Sequence, residues 1–90
     1  MTGPANAEST EPDMLTVFSS PMCGPCERMK VWLAERNYPF VVRDVLMDTA
    51  AGELLEANDI RTTPALLAGD TFVVGFDVPA MKRALAAWRP

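Results

Sequence analysis

The stretch Met14-Leu15-Thr16-Val17-Phe18-Ser19-Ser20-Pro21-Met22-Cys23-Gly24-Pro25-Cys26 passes from one hydrophobic period to another, and its reading decides the fold. Residues 14–18 form a short apolar run with β-branched members, closed by Ser19-Ser20-Pro21, which predicts a buried strand. Residues 24–37 then take helical spacing. Cys26, Met29 and Leu33 recur on one face with Trp32 beside them, while Glu27, Lys30, Glu35 and Arg36 fall elsewhere. Asn37 is read as the stop, and Pro39 prevents continuation. Phe40-Val41-Val42-Arg43-Asp44-Val45 predicts a second strand, so a β-α-β unit with a parallel pair and a right-handed crossover is expected.

Working outward from that unit, Asp48 or Thr49 can cap a second helix whose face is Ala51, Leu54, Leu55 and Asn58. Gly52 inside it costs about 1 kcal/mol relative to Ala. Thr62-Thr63-Pro64 breaks the pattern before Ala65-Leu66-Leu67-Ala68, and Gly69-Asp70 turns the chain into Thr71-Phe72-Val73-Val74, an antiparallel hairpin. Asp77 can cap a last helix with Pro79 in its first turn and Val78, Met81, Leu85 and Trp88 on one face. The expected order is β-α-β-α-β-β-α, an α/β fold with a four-stranded mixed sheet flanked by three helices.

Composition bounds the function. The chain has 90 residues, 49% of them hydrophobic, with two cysteines and no histidine, which suits one small globular domain against a typical size of roughly 100–200 residues. Two cysteines without histidine cannot make the four-ligand set of a structural zinc site, and no Ser-His or Cys-His nucleophilic pair is possible. Net charge is −4; three of the twelve acids (Glu8, Glu11, Asp13) lie in residues 1–13, leaving nine acids against eight bases in 14–90. No Lys/Arg cluster resembles a nucleic-acid footprint, and no apolar run approaches the roughly 20 residues of a membrane span. Residues 1–13 carry no large apolar side chain after Met1 and neither region of a signal peptide. They read as a disordered leader to a domain over 14–90 in the cytoplasm.

The chemistry sits at Cys23-Gly24-Pro25-Cys26, where the first strand gives way to the first helix. The free amides and positive dipole end of a helix favour an anion, so a cysteine there has its thiolate stabilised. Such placement can lower a cysteine pKa from roughly 8.5 to about 7 or below. Pro25 is tolerated in the first turn because its missing N–H would be unpaired there, and Gly24 leaves room for a substrate backbone. A small structural disulfide and half of an intersubunit metal site are the other readings of the pair. A redox pair fits the β-α-β context best.

With this motif in that element order, the chain resembles the glutaredoxins within the thioredoxin superfamily, over about residues 14–88. The residues that carry the resemblance are Val17-Phe18-Ser19, Cys23-Gly24-Pro25-Cys26, Lys30, Thr63-Pro64 and Gly75-Phe76-Asp77. The resemblance implies that Cys23 is the exposed nucleophile and Cys26 the resolving thiol. It implies that Pro64 is a cis proline facing them, that Thr63 offers backbone hydrogen bonds to an extended substrate, and that Gly75, Phe76 and Asp77 lie where glutaredoxins cradle a low-molecular-weight thiol. Gly24 and Pro25 complete the implied substrate-binding set, with no metal ligand.

The chain also departs from that pattern. Ser20 stands where many glutaredoxins carry a lysine that pairs with glutathione's carboxylate, Pro25 replaces a tyrosine, and Phe76 replaces the second glycine of a pair. The Gly-Pro filling is that of thioredoxins, yet Met22 replaces their tryptophan. The resemblance is strongest to redoxins of the mycoredoxin or ribonucleotide-reductase-donor kind. It implies a dithiol oxidoreductase without a bound cofactor, drawing electrons from glutathione, mycothiol or a similar thiol, or from thioredoxin reductase. The partners implied are disulfide-containing proteins, thioredoxin reductase and ribonucleotide reductase, with the chain acting as a monomer. The rivals are an iron–sulfur or metal-binding module and a redox sensor without turnover.

Overall fold

The computed structural model describes residues 14–88, and the leader expected over 1–13 lies outside the described residues. The elements follow the expected order: β1 (Leu15–Ser19), α1 (Gly24–Glu35), β2 (Phe40–Asp44), α2 (Thr49–Ala57), β3 (Ala65–Ala68), β4 (Thr71–Val74) and α3 (Val78–Trp88). The strands form one mixed sheet in the order β2-β1-β3-β4. β1 runs parallel to β2 and antiparallel to β3, and β3 pairs antiparallel with β4. This is a thioredoxin-like fold.

β1 is buried along its whole length because it is an inner strand covered on both faces, which is why its sequence is a continuous apolar run rather than an alternation. Leu15 and Val17 point to one face and meet Met29 and Leu33 of α1, Leu66 of β3, and Met81 and Leu85 of α3. Phe18 points to the other face and packs with Ala51 and Leu55 of α2, Ile60, Ala65 and Leu67. Truncating a fully buried member such as Leu33 or Met29 to alanine would cost about 2–5 kcal/mol. β2, at the sheet edge, is only partly covered.

Two helices end the same way, α1 on Asn37 as the sequence predicts and α2 one residue short of the face expected for it. In α1 the Tyr38 amide reaches back to the Leu33 carbonyl at 3.1 Å and the Asn37 amide to Ala34 at 3.0 Å, with Asn37 at φ 61. In α2 Ile60 bonds to Leu55 at 2.9 Å and Asp59 to Glu56 at 2.9 Å, with Asp59 at φ 62. These are Schellman closures on a left-handed residue, a conformation that Asn and Asp tolerate better than most. The closure corrects one expectation: Asn58 does not share the core face of α2. It is the exposed C-cap, and its side-chain amide donates to the Leu54 carbonyl at 2.8 Å. At Gly52 a Cβ would meet the Val45 carbonyl oxygen at 3.4 Å, an ordinary contact, so the packing does not demand a glycine there.

α2 is tied to the sheet through its own cap. Arg43 of β2 donates from Nε to Asp48 Oδ2 at 2.8 Å and from Nη2 to Oδ1 at 3.2 Å, and its guanidinium lies 5.9 Å from the Phe18 ring. The Asp48 carboxyl titrates below its ordinary value, first because Arg43 hydrogen-bonds to it and next because the Ala51 amide does.

Candidate active site

The cysteine pair stands where β1 hands over to α1. Cys23 has extended backbone angles (φ −115°, ψ 103°) and is the N-cap of α1, with its sulfur accepting the Cys26 amide at 3.1 Å. Helix start and motif are therefore one feature: the sulfur occupies the place a capping oxygen would take. One turn in, Cys26 is fully buried on the face that Met29 and Leu33 share, whereas Cys23 is partly exposed. The two are joined as a disulfide with Cα atoms 5.2 Å apart. Gly24 and Pro25 between them are exposed, with Pro25 in the first helical turn.

Strand register brings the remaining site residues to this sulfur. The β1–β3 ladder pairs Thr16 with Leu67, Val17 with Leu66 and Phe18 with Ala65. Two steps further, the same alignment sets Ser20 opposite Thr63, and their hydroxyl oxygens are 2.7 Å apart. The Thr63 hydroxyl and carbonyl oxygens each lie 3.9 Å from Cys23 Sγ. The Thr63–Pro64 peptide is cis, as the resemblance implies, and Pro64 is fully buried. The β3–β4 ladder pairs Ala65 with Val74; one step on, Gly75 at φ 85 donates its amide to the Pro64 carbonyl at 2.8 Å.

Phe76 and Asp77 lead away from the sulfur. Phe76 packs against the α1/α3 side of the core and lines an apolar groove with Val31 and Trp32 of α1. Asp77 accepts the Ala80 amide at 3.1 Å and so caps α3. Lys30, singled out beside the motif, pairs with Glu27 at 2.8 Å. The register thus gathers Ser20, Cys23, Thr63, Pro64 and Gly75, with Cys26 beneath them, while Asp77 is engaged by its own helix.

Two features were not legible as site residues. Ser20 reads in the sequence only as an absent lysine, and its hydroxyl partner is 43 residues away. Met22, next to Cys23, is wholly exposed and sits at φ 57. That conformation is uncommon for a side chain of this kind, and no composition rule marks it. A groove of about 710 Å³ opens beside Thr63, lined by Ser20, Leu46, Glu53, Ile60 and Arg61 among others. Among the described residues no helix is long and apolar enough to cross a membrane.

With this geometry in view, the comparisons with known proteins agree. The family model described as Glutaredoxin matches residues 15–73. The chain is similar to the glutaredoxin-like NrdH-redoxin of Escherichia coli, described as having a thioredoxin-like activity profile, with TM-score 0.73 and 27% identity over 78% of this chain and 92% of that one. The thioredoxin-like protein BC3987 superposes with TM-score 0.71 and 30% identity over 78% and 97% of the respective chains. By sequence, the global transcriptional regulator Spx of Enterococcus faecalis is 37% identical over 49 residues, which are 54% of this chain and 37% of that one. The chain spans about a third of the length of the curated relatives it matches.

Proposed function

Because the chain belongs to the glutaredoxin family, we propose that it is a thiol-disulfide oxidoreductase that reduces protein or mixed disulfides by a dithiol mechanism. The observation that carries this reading is the unequal placement of the two sulfurs. Cys23 is reachable and capped by the Cys26 amide, while Cys26 is buried one turn below. In the reduced chain the Cys23 thiolate attacks one sulfur of a substrate disulfide. A Cys23–substrate disulfide forms, and the other substrate sulfur leaves as a thiolate that takes up a proton. The Cys26 thiol gives up its proton and its thiolate attacks Cys23 Sγ. The mixed disulfide breaks, the second substrate thiol leaves, and the chain is left as the Cys23–Cys26 disulfide. Two electrons pass from the chain to the substrate, and an external thiol or a reductase returns them.

In this reading Gly24, Pro25, Thr63 and Pro64 line the approach of the substrate backbone, and Gly75, Phe76 and Asp77 form the edge where a donor thiol rests. The working domain is residues 14–90, a monomer in the cytoplasm, with disulfide-bearing proteins such as ribonucleotide reductase as its partners. The donor is a low-molecular-weight thiol or thioredoxin reductase. Ser20 and Phe76 stand where a glutathione site would need a cation and a glycine. The likeness to NrdH-redoxin over 92% of its length also supports a donor other than glutathione. The local likeness to proteins named as global transcriptional regulators, together with the cysteine pair, favours a second reading, a regulatory thiol switch acting as a redox sensor without turnover.

One experiment tests both. The oxidised protein is offered NADPH with thioredoxin reductase, glutathione with its reductase, and mycothiol with its reductase, each with a protein disulfide as acceptor. Saturable turnover with thioredoxin reductase or mycothiol is expected, with glutathione the poorest donor. Reduction by none would turn the reading to the sensor. The Cys26→Ser variant should accumulate mixed disulfides with protein substrates, and undiminished turnover of protein disulfides by that variant would overturn the dithiol mechanism.

A further inference from the structure

We propose that Ser20 is a positioning residue for the Cys23 thiolate: its hydroxyl holds the Thr63 hydroxyl in place, so that Thr63 donates its proton to the sulfur. This rests on the reading of Cys23 as the reacting thiol. The Ser20 and Thr63 oxygens are 2.7 Å apart, with either hydroxyl able to donate, and in the disulfide form the Thr63 oxygen is 3.9 Å from Cys23 Sγ, within reach of a hydroxyl-to-sulfur bond. A hydroxyl has one proton and two acceptor sites. When Thr63 gives its proton to the sulfur, its oxygen is free to accept the proton of Ser20, and each bond polarises the other. The chain of donation runs from Ser20 to Thr63 to Cys23.

The Thr63 carbonyl, also 3.9 Å from the sulfur, works in the opposite direction. It accepts a proton from the neutral thiol and repels the thiolate. The Thr63 residue therefore presents a donor and an acceptor to one sulfur, and the direction of its hydroxyl proton decides which form is favoured. In the proposed relay Ser20 donates to the Thr63 oxygen, which leaves the Thr63 proton for the sulfur. The Cys26 amide at 3.1 Å is the other donor.

The charged groups around the motif leave this role open. The Arg28 guanidinium lies over Gly24, 3.6 Å from where a Cβ would stand. Glu27 and Lys30 neutralise each other on α1. From the other elements, Asp77 caps α3, Asp48 and Arg43 pair with each other, Asp44 accepts the Leu46 amide, and Arg61 pairs with Asp59 at 3.1 Å. Among the described residues no charged side chain hydrogen-bonds to either sulfur.

The test is a pH titration of the Cys23 thiolate in the reduced full-length protein, read by thiolate absorbance and by the midpoint of the alkylation rate profile. The midpoint is the readout because intrinsic nucleophilicity falls along with pKa, so a rate at one pH mixes the two. Ser20→Ala should raise the midpoint by about half a unit, roughly threefold less thiolate at any pH below it. Ser20→Thr, which keeps the hydroxyl, should restore it. Thr63→Val should raise the midpoint by about one unit, and adding Ser20→Ala to Thr63→Val should then change nothing further. An unchanged midpoint in Ser20→Ala, or a shift that persists undiminished in the Thr63→Val background, would overturn the relay. Failure of the proposed reaction looks different: the titration shifts as expected while the wild-type chain reduces no disulfide with any donor.

Discussion

The starts of α1 and α2 are nearly the same structure with different chemistry. Cys23 and Asp48 hold almost equal backbone angles (φ −115°, ψ 103° against φ −108°, ψ 96°), and each side chain accepts the amide three residues on at 3.1 Å. Asp48 brings an anion at neutral pH, and Arg43 meets it with two hydrogen bonds. Cys23 brings a sulfur that is an anion only when reduced and deprotonated, and no cation hydrogen-bonds to it among the described residues. A helix start favours negative charge in either case. At α2 that preference is satisfied within the fold and serves stability. At α1 it is left for a thiolate, and its stabilisation is available to a reaction.

Exchanging the cap atom breaks this comparison most sharply. Cys23→Ser keeps a capping oxygen and removes the proposed nucleophile, so disulfide reduction should be abolished while the reduced protein keeps its stability. Cys23→Ala removes both, and should be equally inactive but less stable than the serine variant by about 1 kcal/mol, within the usual range for losing an N-cap. Turnover assays and urea unfolding under reducing conditions check the two outcomes separately. Equal stability of the Ser and Ala variants would mean that position 23 matters to the reaction alone.

At α2 the expected effect is on stability alone, and it depends on pH. The Asp48 carboxyl titrates below its ordinary value because Arg43 and the Ala51 amide bind its charged form. A group whose folded pKa is depressed adds stability above its unfolded value, and that contribution is lost as pH falls through the folded one. Asp48→Asn keeps a capping oxygen and loses the charge that Arg43 meets. Wild type should therefore unfold at higher urea than Asp48→Asn at pH 7. The gap should close as pH drops below about 4. Turnover by the variant should be unchanged at pH 7. A gap that stays constant down to pH 2.5 would show that the Arg43 pairing is not its source.

The contrast between the two helix starts also shows which parts of the site were legible in the sequence. Element order was legible because each change of hydrophobic period is local, and so was the cap at Asp77; the α2 cap was narrowed to Asp48 or Thr49, and the structure decides for Asp48. Asn58 was placed on the wrong face because apolar spacing does not reveal where a helix closes on a left-handed residue, here Asp59. The contact between Ser20 and Thr63 was out of reach for another reason. It follows from the β1–β3 register, and a shift of that register would part the two hydroxyls while leaving the order of elements unchanged. Local signals fix which residues are capable of the chemistry; the pairing of distant strands decides which of them meet.

Asp77, the cap of α3, sharpens the comparison with the smallest effect, because two roles compete for one carboxylate. One oxygen accepts the Ala80 amide at 3.1 Å, as Asp48 does at α2. The side chain is exposed, and the resemblance to glutaredoxins puts it where they cradle a low-molecular-weight thiol. Asp77→Ala removes both roles and should cost about 1 kcal/mol of stability. Asp77→Asn keeps an acceptor oxygen for the cap and loses the charge, so its stability should stay within about 0.5 kcal/mol of wild type. An exposed ion pair of this kind is worth up to about 1 kcal/mol. If the charge holds a donor thiol, Asp77→Asn should raise KM for that thiol by roughly two- to fivefold and leave kcat for the protein disulfide alone. An unchanged KM in the Asn variant, beside a lower urea midpoint in the Ala variant, would make Asp77 a plain cap like Asp48. Cys23 would then be the only one of the three helix caps that takes part in the reaction.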